Sequence, residues 1–419
     1  MNEHTEALLR EHLRSVDAAK VPVSSAVGDR VSRVERRMAR RRRGLAATSA
    51  IALVGLAVGV AWSTSASPQQ ITGADGLPST TASTSTQGSP TTGVDTGPWS
   101  PIPVGPKPVS GASVVWTGTE AMMIGGTFAD DSPAGIHAYN PTTSTWREVK
   151  TDAFIMSDTP LTGDNPLVFW SGATIFLIGA PELTEESMVV GYDPNDGLSF
   201  RQQTGHADFI DATVPWAWTG MELLVWPTAV DQSPASRPRA FDPLAGEWRM
   251  LAESPLDART DAASIWTGTE WIVWGGNGAS TFADGAAYNP ATDTWRVLAE
   301  SPLSPRTGPA VWTGSEMIVR SGSTDGAAYD PLTDTWRKIA SGVSHPGFVP
   351  VWTGELLVLF AKGGAVWYDP DKDQWASGDF SWGDVPHLDQ QPVWTGKVVL
   401  LLGSYDGSTG GAAFTPPSR

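Results

Sequence analysis

The chain has 419 residues and no cysteine, which excludes disulfide bridges, thiolate metal sites and a cysteine nucleophile. Its net charge of −17 is unevenly distributed, because residues 1–44 carry 11 Lys and Arg against 6 Asp and Glu, and the remainder carries 17 against 39. A remainder this acidic repels nucleic acid and anionic lipid headgroups, and it favours cations, basic partners or neutral ligands.

Residues 1–44 form a polar, basic segment that ends in "RVERRMARRRRG". Near its start, Leu8, Leu9, Leu13 and Val16 are spaced as on one face of a short amphipathic helix. The arginine run could be a nucleic-acid patch. We favour the reading that it flanks a membrane segment, because an uncharged apolar stretch follows at once.

That stretch, residues 45–62, contains 18 residues without a charge. As a helix it would be about 27 Å long, which is enough to cross the hydrocarbon core of a bilayer. Trp62 would lie at the far interface, and Arg40 to Arg43 would keep the near end in the cytoplasm. We predict a retained single-pass anchor with the N-terminus inside; a cleaved signal peptide is the alternative, since small residues follow.

Residues 63–97 are rich in Ser, Thr, Gly and Pro and have almost no large apolar side chain. Such a segment cannot bury enough surface to offset the entropy of ordering it. We predict a disordered tether that holds a folded domain, residues 98–419, away from the membrane.

The folded part repeats one pattern. A Trp-[Thr/Ser]-Gly triplet occurs seven times at steps of 40 to 54 residues, and each copy is followed by an apolar run. Glycine after so short a connection predicts a tight turn between two strands. The repeated tryptophans are Trp116, Trp170, Trp218, Trp266, Trp312, Trp352 and Trp394.

A second motif follows in each of five copies: an aromatic residue, then Asn/Asp-Pro, then a tryptophan seven residues after the aromatic, as in Tyr288 and Trp295. In another copy the two aromatics, Tyr192 and Phe200, are eight residues apart. Asn/Asp-Pro predicts a further turn, so each period yields four short strands. A sheet this small cannot bury both faces alone, which predicts stacked blades with tryptophan filling the gaps between them.

The ends of the repeat predict how the ring closes. The last copy stops in its third strand, near Phe414, while "GPWSPIPVGP" before the first copy resembles an isolated fourth strand carrying Trp99. Pairing these two segments would complete a seventh blade and remove the open edges. The predicted fold class is therefore all-β, a seven-bladed propeller.

The domain resembles Kelch-repeat propellers of the type found in the central domain of galactose oxidase. The residues that carry this resemblance are "VWGG" at 273–276, "YNPATDTW" at 288–295 and "SPRTGPAVW" at 304–312. A period of about 50 residues fits the family. The basic leader and anchor also resemble bacterial membrane proteins, including some anti-sigma factors.

The resemblance bears on catalysis as well as on fold. It implies a copper-radical site with a tyrosine crosslinked to cysteine, and the absence of cysteine excludes that activity here. "TDTW" lacks the glycine of a sialidase Asp box, and no Ser-His-Asp set or phosphate loop is visible. A sugar epimerase that uses an acid/base pair of rim residues is a further alternative.

A polar ligand site is predicted at the mouth of the ring, on the face that carries the loops between second and third strands and between successive blades. For any single residue we favour the simpler interpretation, that the arginines pair with carboxylates between blades and the histidines are solvated, because polar groups on loops are usually just exposed. The candidates, found by counting back from the repeated tryptophans, are Asp211, Arg259, Arg306, His345 and His387.

Asp-bearing loops on the same face could hold Ca²⁺, but no copy has the regular spacing of a calcium loop, and Asp-Gly is an ordinary hairpin turn. We therefore predict turns there, with no metal and no cofactor. These residues are Asp130, Asp131, Asp284, Asp325 and Asp406.

The sequence favours a membrane-anchored, extracytoplasmic and monomeric binding module for a protein or glycan, without catalysis and without nucleic acid. One alternative is a sugar-modifying enzyme with His345, His387 and Arg259 at the mouth. Another is a transmembrane regulator in which residues 1–44 bind a cytoplasmic partner such as a sigma factor.

Overall fold

The computed structural model describes residues 99–105, 112–126, 135–149, 167–179, 188–195, 197–203, 208–209, 213–226, 228–229, 237–243, 245–320, 324–342, 349–361, 364–377, 392–405 and 408–418. All regular elements within these ranges are β-strands. None of these residues belongs to a helix of the length and apolarity needed to cross a membrane. The predicted basic segment 1–44, transmembrane helix 45–62 and linker 63–97 lie outside the described residues.

The strands are numbered in chain order. The first fifteen are β1 (Trp99–Ile102), β2 (Ser113–Trp116), β3 (Ala121–Ile124), β4 (Ile136–Asn140), β5 (Thr145–Val149), β6 (Leu167–Trp170), β7 (Ile175–Gly179), β8 (Met188–Asp193), β9 (Gly197–Gln203), β10 (Asp208–Phe209), β11 (Trp216–Trp218), β12 (Leu223–Val225), β13 (Thr228–Ala229), β14 (Arg239–Asp242) and β15 (Glu247–Met250).

The remaining strands are β16 (Ala263–Trp266), β17 (Trp271–Trp274), β18 (Gly285–Asn289), β19 (Thr294–Val297), β20 (Ala310–Trp312), β21 (Met317–Val319), β22 (Ala327–Asp330), β23 (Thr335–Lys338), β24 (Val349–Trp352), β25 (Leu357–Ala361), β26 (Gly364–Asp369), β27 (Gln374–Ser377), β28 (Pro392–Trp394), β29 (Val399–Tyr405) and β30 (Ser408–Phe414).

These strands form seven four-stranded antiparallel sheets, the blades of a propeller, which confirms the predicted fold class. Blades 1 and 2 are β2–β5 and β6–β9, and blade 3 is β11, β12, β14 and β15. Blades 4, 5 and 6 are β16–β19, β20–β23 and β24–β27, and blade 7 is β28, β29, β30 and β1. Strands β10 and β13 pair with each other beside blade 3.

Each repeated triplet forms the turn between the first and second strands of its blade, as predicted. The threonine side chain bridges the turn: in blade 4, Thr267 Oγ1 donates to the carbonyl of Glu270 at 3.2 Å and accepts from its N–H at 2.9 Å. The glycine needs a positive φ that L-residues rarely adopt. All seven glycines have φ between +88° and +101°: Gly118, Gly172, Gly220, Gly268, Gly314, Gly354 and Gly396.

The Asn/Asp-Pro motif forms the turn between the third and fourth strands. Asn289 Oδ1 accepts from the N–H of Ala291 at 2.9 Å, which is the predicted side-chain turn. In blade 2 a β-bulge at Gly191/Tyr192 inserts one residue, so that Gly191 pairs with Phe200 and Tyr192 with Leu198. This bulge explains why the two aromatics of that copy are eight residues apart.

The ring closes through the predicted pairing of distant segments. Strand β1 is the outer strand of blade 7, with Trp99 opposite Phe414 and Ser100 opposite Ala413. The rings of Trp99 and Phe414 are 4.8 Å apart. Pro101 lies within β1, a position that outer strands tolerate because one side of the strand needs no ladder donor.

Seven apolar clusters fill the seams between neighbouring blades. The cluster between blades 4 and 5, for example, combines Ile265 and Trp274 with Met317 and Tyr329. Each repeated tryptophan belongs to one seam, which confirms that tryptophan packs between blades: Trp116, Trp170, Trp218, Trp266, Trp312, Trp352 and Trp394.

A second contact crosses the seams at larger radius, where the residue eight positions after a repeated tryptophan meets the fourth-strand tryptophan of the next blade. Trp274 lies 5.5 Å from Trp336 between ring centroids. At the next seam an arginine replaces the aromatic residue, and its guanidinium lies 4.3 Å from the ring of Trp375. The pairs are Trp226–Trp295, Trp274–Trp336, Arg320–Trp375 and Phe360–Trp99.

Candidate functional site

The propeller has two unlike faces. On one, which we call the turn face, all seven connections between first and second strands have four residues, as at 117–120 and 267–270. On the other, the loop face, connections range from two residues (362–363, between β25 and β26) to 17 residues (150–166, between β5 and β6). The connections that vary widely in length are therefore on one side of the scaffold.

Two of the five predicted ligand residues, Arg259 and Arg306, belong to the loop face. Asp211, His345 and His387 lie outside the described residues, and their predicted role stays a prediction. Arg259 and Arg306 are described, in the loops that enter β16 of blade 4 and β20 of blade 5.

Arg259 holds the loops of blade 4 together. Its Nη1 donates to Asp284 Oδ1 at 2.8 Å and to the carbonyl of Gly275 at 3.0 Å. Its Nε donates to the carbonyl of Asp257 at 2.9 Å, and its guanidinium lies 4.3 Å from the ring of Phe282. Because the side chain is 0 % exposed, the guanidinium acts on the protein's own loops.

Arg306 repeats this arrangement in blade 5. Its Nη2 donates to Asp325 Oδ2 at 2.8 Å and to Ser304 Oγ at 3.0 Å, and its Nε donates to the carbonyl of Ser304 at 3.0 Å. In each case the carboxylate precedes the third strand of the same blade. The arginines thus pair with carboxylates, but within a blade rather than between blades.

The same geometry revises the expectation that Asp-Gly forms hairpin turns here. Gly285 is the first residue of β18, and a Cβ at that position would lie 2.8 Å from Trp274 and 2.9 Å from Leu298. The glycine is therefore needed for close packing, and the aspartate before it is an ion-pair acceptor. Asp130, Asp131 and Asp406 lie outside the described ranges.

The glycine pair of "VWGG" fixes the long loop of blade 4 against its neighbours. Gly275 and Gly276 have φ of +67° and +97°. A Cβ on Gly275 would lie 2.6 Å from the carbonyl oxygen of Arg306, and one on Gly276 would lie 2.8 Å from that of Thr260. Backbone hydrogen bonds join the same loop segments: the N–H of Gly276 donates to the carbonyl of Arg306 at 2.9 Å.

The turn face carries an ionic network that sequence reasoning missed. A glutamate four residues after the repeated tryptophan accepts two hydrogen bonds from an arginine that follows the fourth-strand tryptophan, as in Glu270 and Arg296 at 3.0 and 2.6 Å. Both residues recur at fixed places in the printed sequence, so this signal was available. The pairs are Glu120–Arg147, Glu222–Arg249, Glu270–Arg296 and Glu316–Arg337.

The network continues into the next blade. Arg296 Nη1 donates to the hydroxyl of Tyr329 at 2.8 Å, and that hydroxyl donates to Asp334 Oδ1 at 2.6 Å. The same carboxylate accepts from the N–H of Ala299 at 3.0 Å, so it ties blade 5 back to blade 4. We call this arrangement of arginine, tyrosine, aspartate and backbone N–H, here Arg296, Tyr329, Asp334 and Ala299, a seam latch.

In the seam latch between blades 3 and 4, the pKa values of the tyrosine and of the aspartate are both shifted. Burial, followed by the hydrogen bond to Asp293, raises the pKa of Tyr288 to about 12. The hydrogen bond from Tyr288, followed by that from the N–H of Ala252, lowers the pKa of the Asp293 carboxyl. Both pKa shifts favour the forms in which the tyrosine donates and the aspartate accepts.

Among the residues that the structure describes, no group of three or more His, Asp or Glu side chains is placed to hold a metal ion. Comparison with protein-family models gave no matching family, and comparison with curated proteins gave no matching relative.

Proposed function

We propose that this chain is a membrane-anchored binding protein whose propeller lies outside the cytoplasm and binds a protein or glycan ligand through its loop face, without catalysis. We further propose that the propeller is Kelch-like and resembles that of galactose oxidase in fold. The anchor would be residues 45–62, with residues 1–44 in the cytoplasm.

The Kelch-like assignment is supported by the physical role of the motif residues. Gly275 and Gly276 combine positive φ with backbone contacts that exclude a side chain. Tyr288 and Trp295 pack with ring centroids 5.1 Å apart, and Trp295 Nε1 donates across the seam to the carbonyl of Ala252 at 3.0 Å. These motif residues therefore serve the packing of a propeller, which supports the Kelch-like assignment.

The observation that carries the binding proposal is the contrast between the faces. First-to-second turns keep four residues in every blade, while the loop-face connections differ in length from blade to blade. Binding residues concentrate on loops of variable length held by a rigid scaffold. Arg259 and Arg306 supply that rigidity, which leaves Asp211, His345 and His387 as the proposed ligand contacts.

The test is a glycan and peptide array probed with the full chain, followed by affinity measurements on a captured ligand. We expect the His345→Ala/His387→Ala variant to bind at least about tenfold more weakly with an unchanged melting temperature. Lys397→Ala, an exposed change on the turn face, is the control and should bind normally.

Two results would overturn the proposal: equal affinity of the double variant and the parent chain, or a silent array together with turnover of a sugar. Resistance of the chain to extraction from membranes by alkaline carbonate, lost when residues 45–62 are deleted, tests the anchor.

A further inference from the structure

The seven repeated tryptophans form a ring on the turn face. Each ends the first strand of its blade, and first strands of neighbouring blades contact one another around the ring. Trp218 is buried, but the other six are only partly buried, at positions where a four-residue turn leaves little to cover them. We call these six the indole ring: Trp116, Trp170, Trp266, Trp312, Trp352 and Trp394.

The indole ring differs from the fourth-strand tryptophans in what its N–H groups do. Trp336 Nε1 donates to the carbonyl of Ala299 at 3.0 Å, and Trp375 Nε1 donates to that of Ala340 at 2.7 Å. By contrast, no Nε1 atom of the indole ring donates a hydrogen bond to an acceptor among the described residues, and none of the six is among the fully buried atoms without a partner. Their N–H groups are therefore not fully shielded from solvent.

The turn hydroxyls and the paired glutamates near the ring are engaged. The turn hydroxyls bond within their own turns, as Thr313 Oγ1 does with the carbonyl and N–H of Glu316 at 3.2 and 2.9 Å. The Glu316 carboxylate accepts two hydrogen bonds from Arg337 at 2.8 and 2.6 Å. The indole N–H groups are therefore donors that this ring can offer to a ligand.

The chemistry of these donors restricts the ligand. An indole N–H only donates, so it selects lone pairs and gives nothing to a cation. The balance of 17 basic against 39 acidic residues after residue 44 disfavours anions. A neutral molecule with many acceptor oxygens and apolar faces that pack against indole edges meets both conditions, and a neutral carbohydrate has this composition.

We propose that the indole ring is a second binding site, on the face opposite the loops, and that its ligand is a neutral glycan chain. This goes beyond the proposed function, because it uses different residues on a different face. Donors repeated from blade to blade allow one chain to contact several indoles, so affinity should rise with the number of sugar units.

The experiment titrates the full chain with neutral glucose oligomers of about two to six units, α-1,4- and β-1,4-linked, by calorimetry. We expect a dissociation constant that falls with length. Trp266→Phe/Trp312→Phe, which keeps aromatic packing and removes two open donors, should weaken binding by roughly tenfold. Trp295→Phe/Trp336→Phe, which removes two donors already bonded inside the protein, should bind normally.

Spectra of ¹⁵N-labelled indole N–H groups give a second readout that tolerates a loss of stability in the variants. Shifts confined to resonances that disappear in the Trp266→Phe and Trp312→Phe variants would support the site. Absence of any shift with every neutral oligomer, preferential binding of oligogalacturonate or of a peptide, or normal binding by Trp266→Phe/Trp312→Phe would each overturn it. Unchanged glucan binding by His345→Ala/His387→Ala would separate this site from the loop-face site.

Discussion

Arg259 is a charged residue whose whole side chain is removed from solvent. Burying a guanidinium is unfavourable unless its donors are satisfied, and here a carboxylate, two carbonyl oxygens and an aromatic ring surround it. Its partner Asp284 remains 53 % exposed, so part of the carboxylate's hydration is kept. The pair fixes the loop entering β16 to the loop entering β18.

Replacement of this arginine should be costly. We expect Arg259→Met to lower the free energy of unfolding by about 2–4 kcal/mol, because two carbonyl oxygens and a carboxylate lose their donor. Arg147→Met is the matched control: it breaks an ion pair whose arginine is 42 % exposed, and should cost at most about 1 kcal/mol. Urea unfolding measures both, and equal losses would contradict a structural role for Arg259.

At the scale of single elements, the turn between third and fourth strands does more than reverse the chain. Its last residue has a positive φ at Asp293, Asp334 and Asp373, between +49° and +52°. That conformation directs the carboxylate to its own blade's tyrosine and to a backbone N–H of the preceding blade, as Asp373 does with Tyr368 and Ala340 at 2.6 and 2.8 Å. A turn thereby becomes part of a seam.

These latches make stability depend on pH in a defined direction. Hydrogen bonds from Tyr288 and Tyr368 lower the pKa of the Asp293 and Asp373 carboxyls. A carboxyl in an unfolded chain has a pKa of about 3.9, so the contribution is complete above about pH 4 and is lost as pH falls through the lowered pKa.

We therefore expect Asp293→Asn/Asp373→Asn to lose less stability than the parent chain between about pH 4 and pH 2, since asparagine tolerates positive φ and does not titrate there. Glu300→Gln, at an exposed position, serves as the control and should follow the parent. The urea midpoint measured across this range decides the matter, and parallel curves for the parent and the Asp293→Asn/Asp373→Asn variant would contradict the latch.

How far the sequence predicted the elements depends on whether the pattern was local. The turns at Gly118 and Asn140 follow from neighbouring residues, so motif and strand bounds agreed closely with β2 to β5. The partner of Arg259 could not be found in this way, because Asp284 is 25 residues away and Asp-Gly is ambiguous between a turn and a packed strand start. The pattern identified the residue types, while the pairing required three-dimensional placement.

The seams show the same limit. Trp274 and Trp336 belong to successive copies of the motif, and repeated tryptophan predicted inter-blade packing in general. Arg320 occupies the equivalent position against Trp375, eight residues after the repeated tryptophan of its blade. The sequence did not indicate this contact, because an arginine in such a position is usually expected at the protein surface. Its pKa is lowered by burial.

At the scale of the whole molecule, one pairing holds the ring closed. Strand β1 reaches blade 7 from the start of the domain and completes a sheet whose other strands come from its end. Ser100 of β1 lies directly opposite Ala413 of β30. Directly opposed residues of antiparallel strands have Cα separations of about 4.5–5.5 Å, which a disulfide can span.

Because the chain has no native cysteine, Ser100→Cys/Ala413→Cys can form only one intramolecular disulfide. It would close a loop containing nearly the entire propeller, for which loop entropy predicts a stabilisation of about 4 kcal/mol or more. We expect the oxidised variant to unfold at higher temperature than the same protein after reduction, with Ser100→Cys alone unaffected by reductant. Identical midpoints for oxidised and reduced protein would show that β1 separates before the ring unfolds.

The proline within β1 affects how this strand can pair while the chain is being synthesised. During translation β1 leaves the ribosome before every other described strand, and its partner β30 leaves after them. An unpaired strand exposes backbone N–H and C=O groups that can pair with a strand of another chain. Pro101 has no backbone N–H, so β1 offers one donor fewer to a foreign strand. We therefore expect it to reduce mispairing of the nascent chain until β30 has been synthesised.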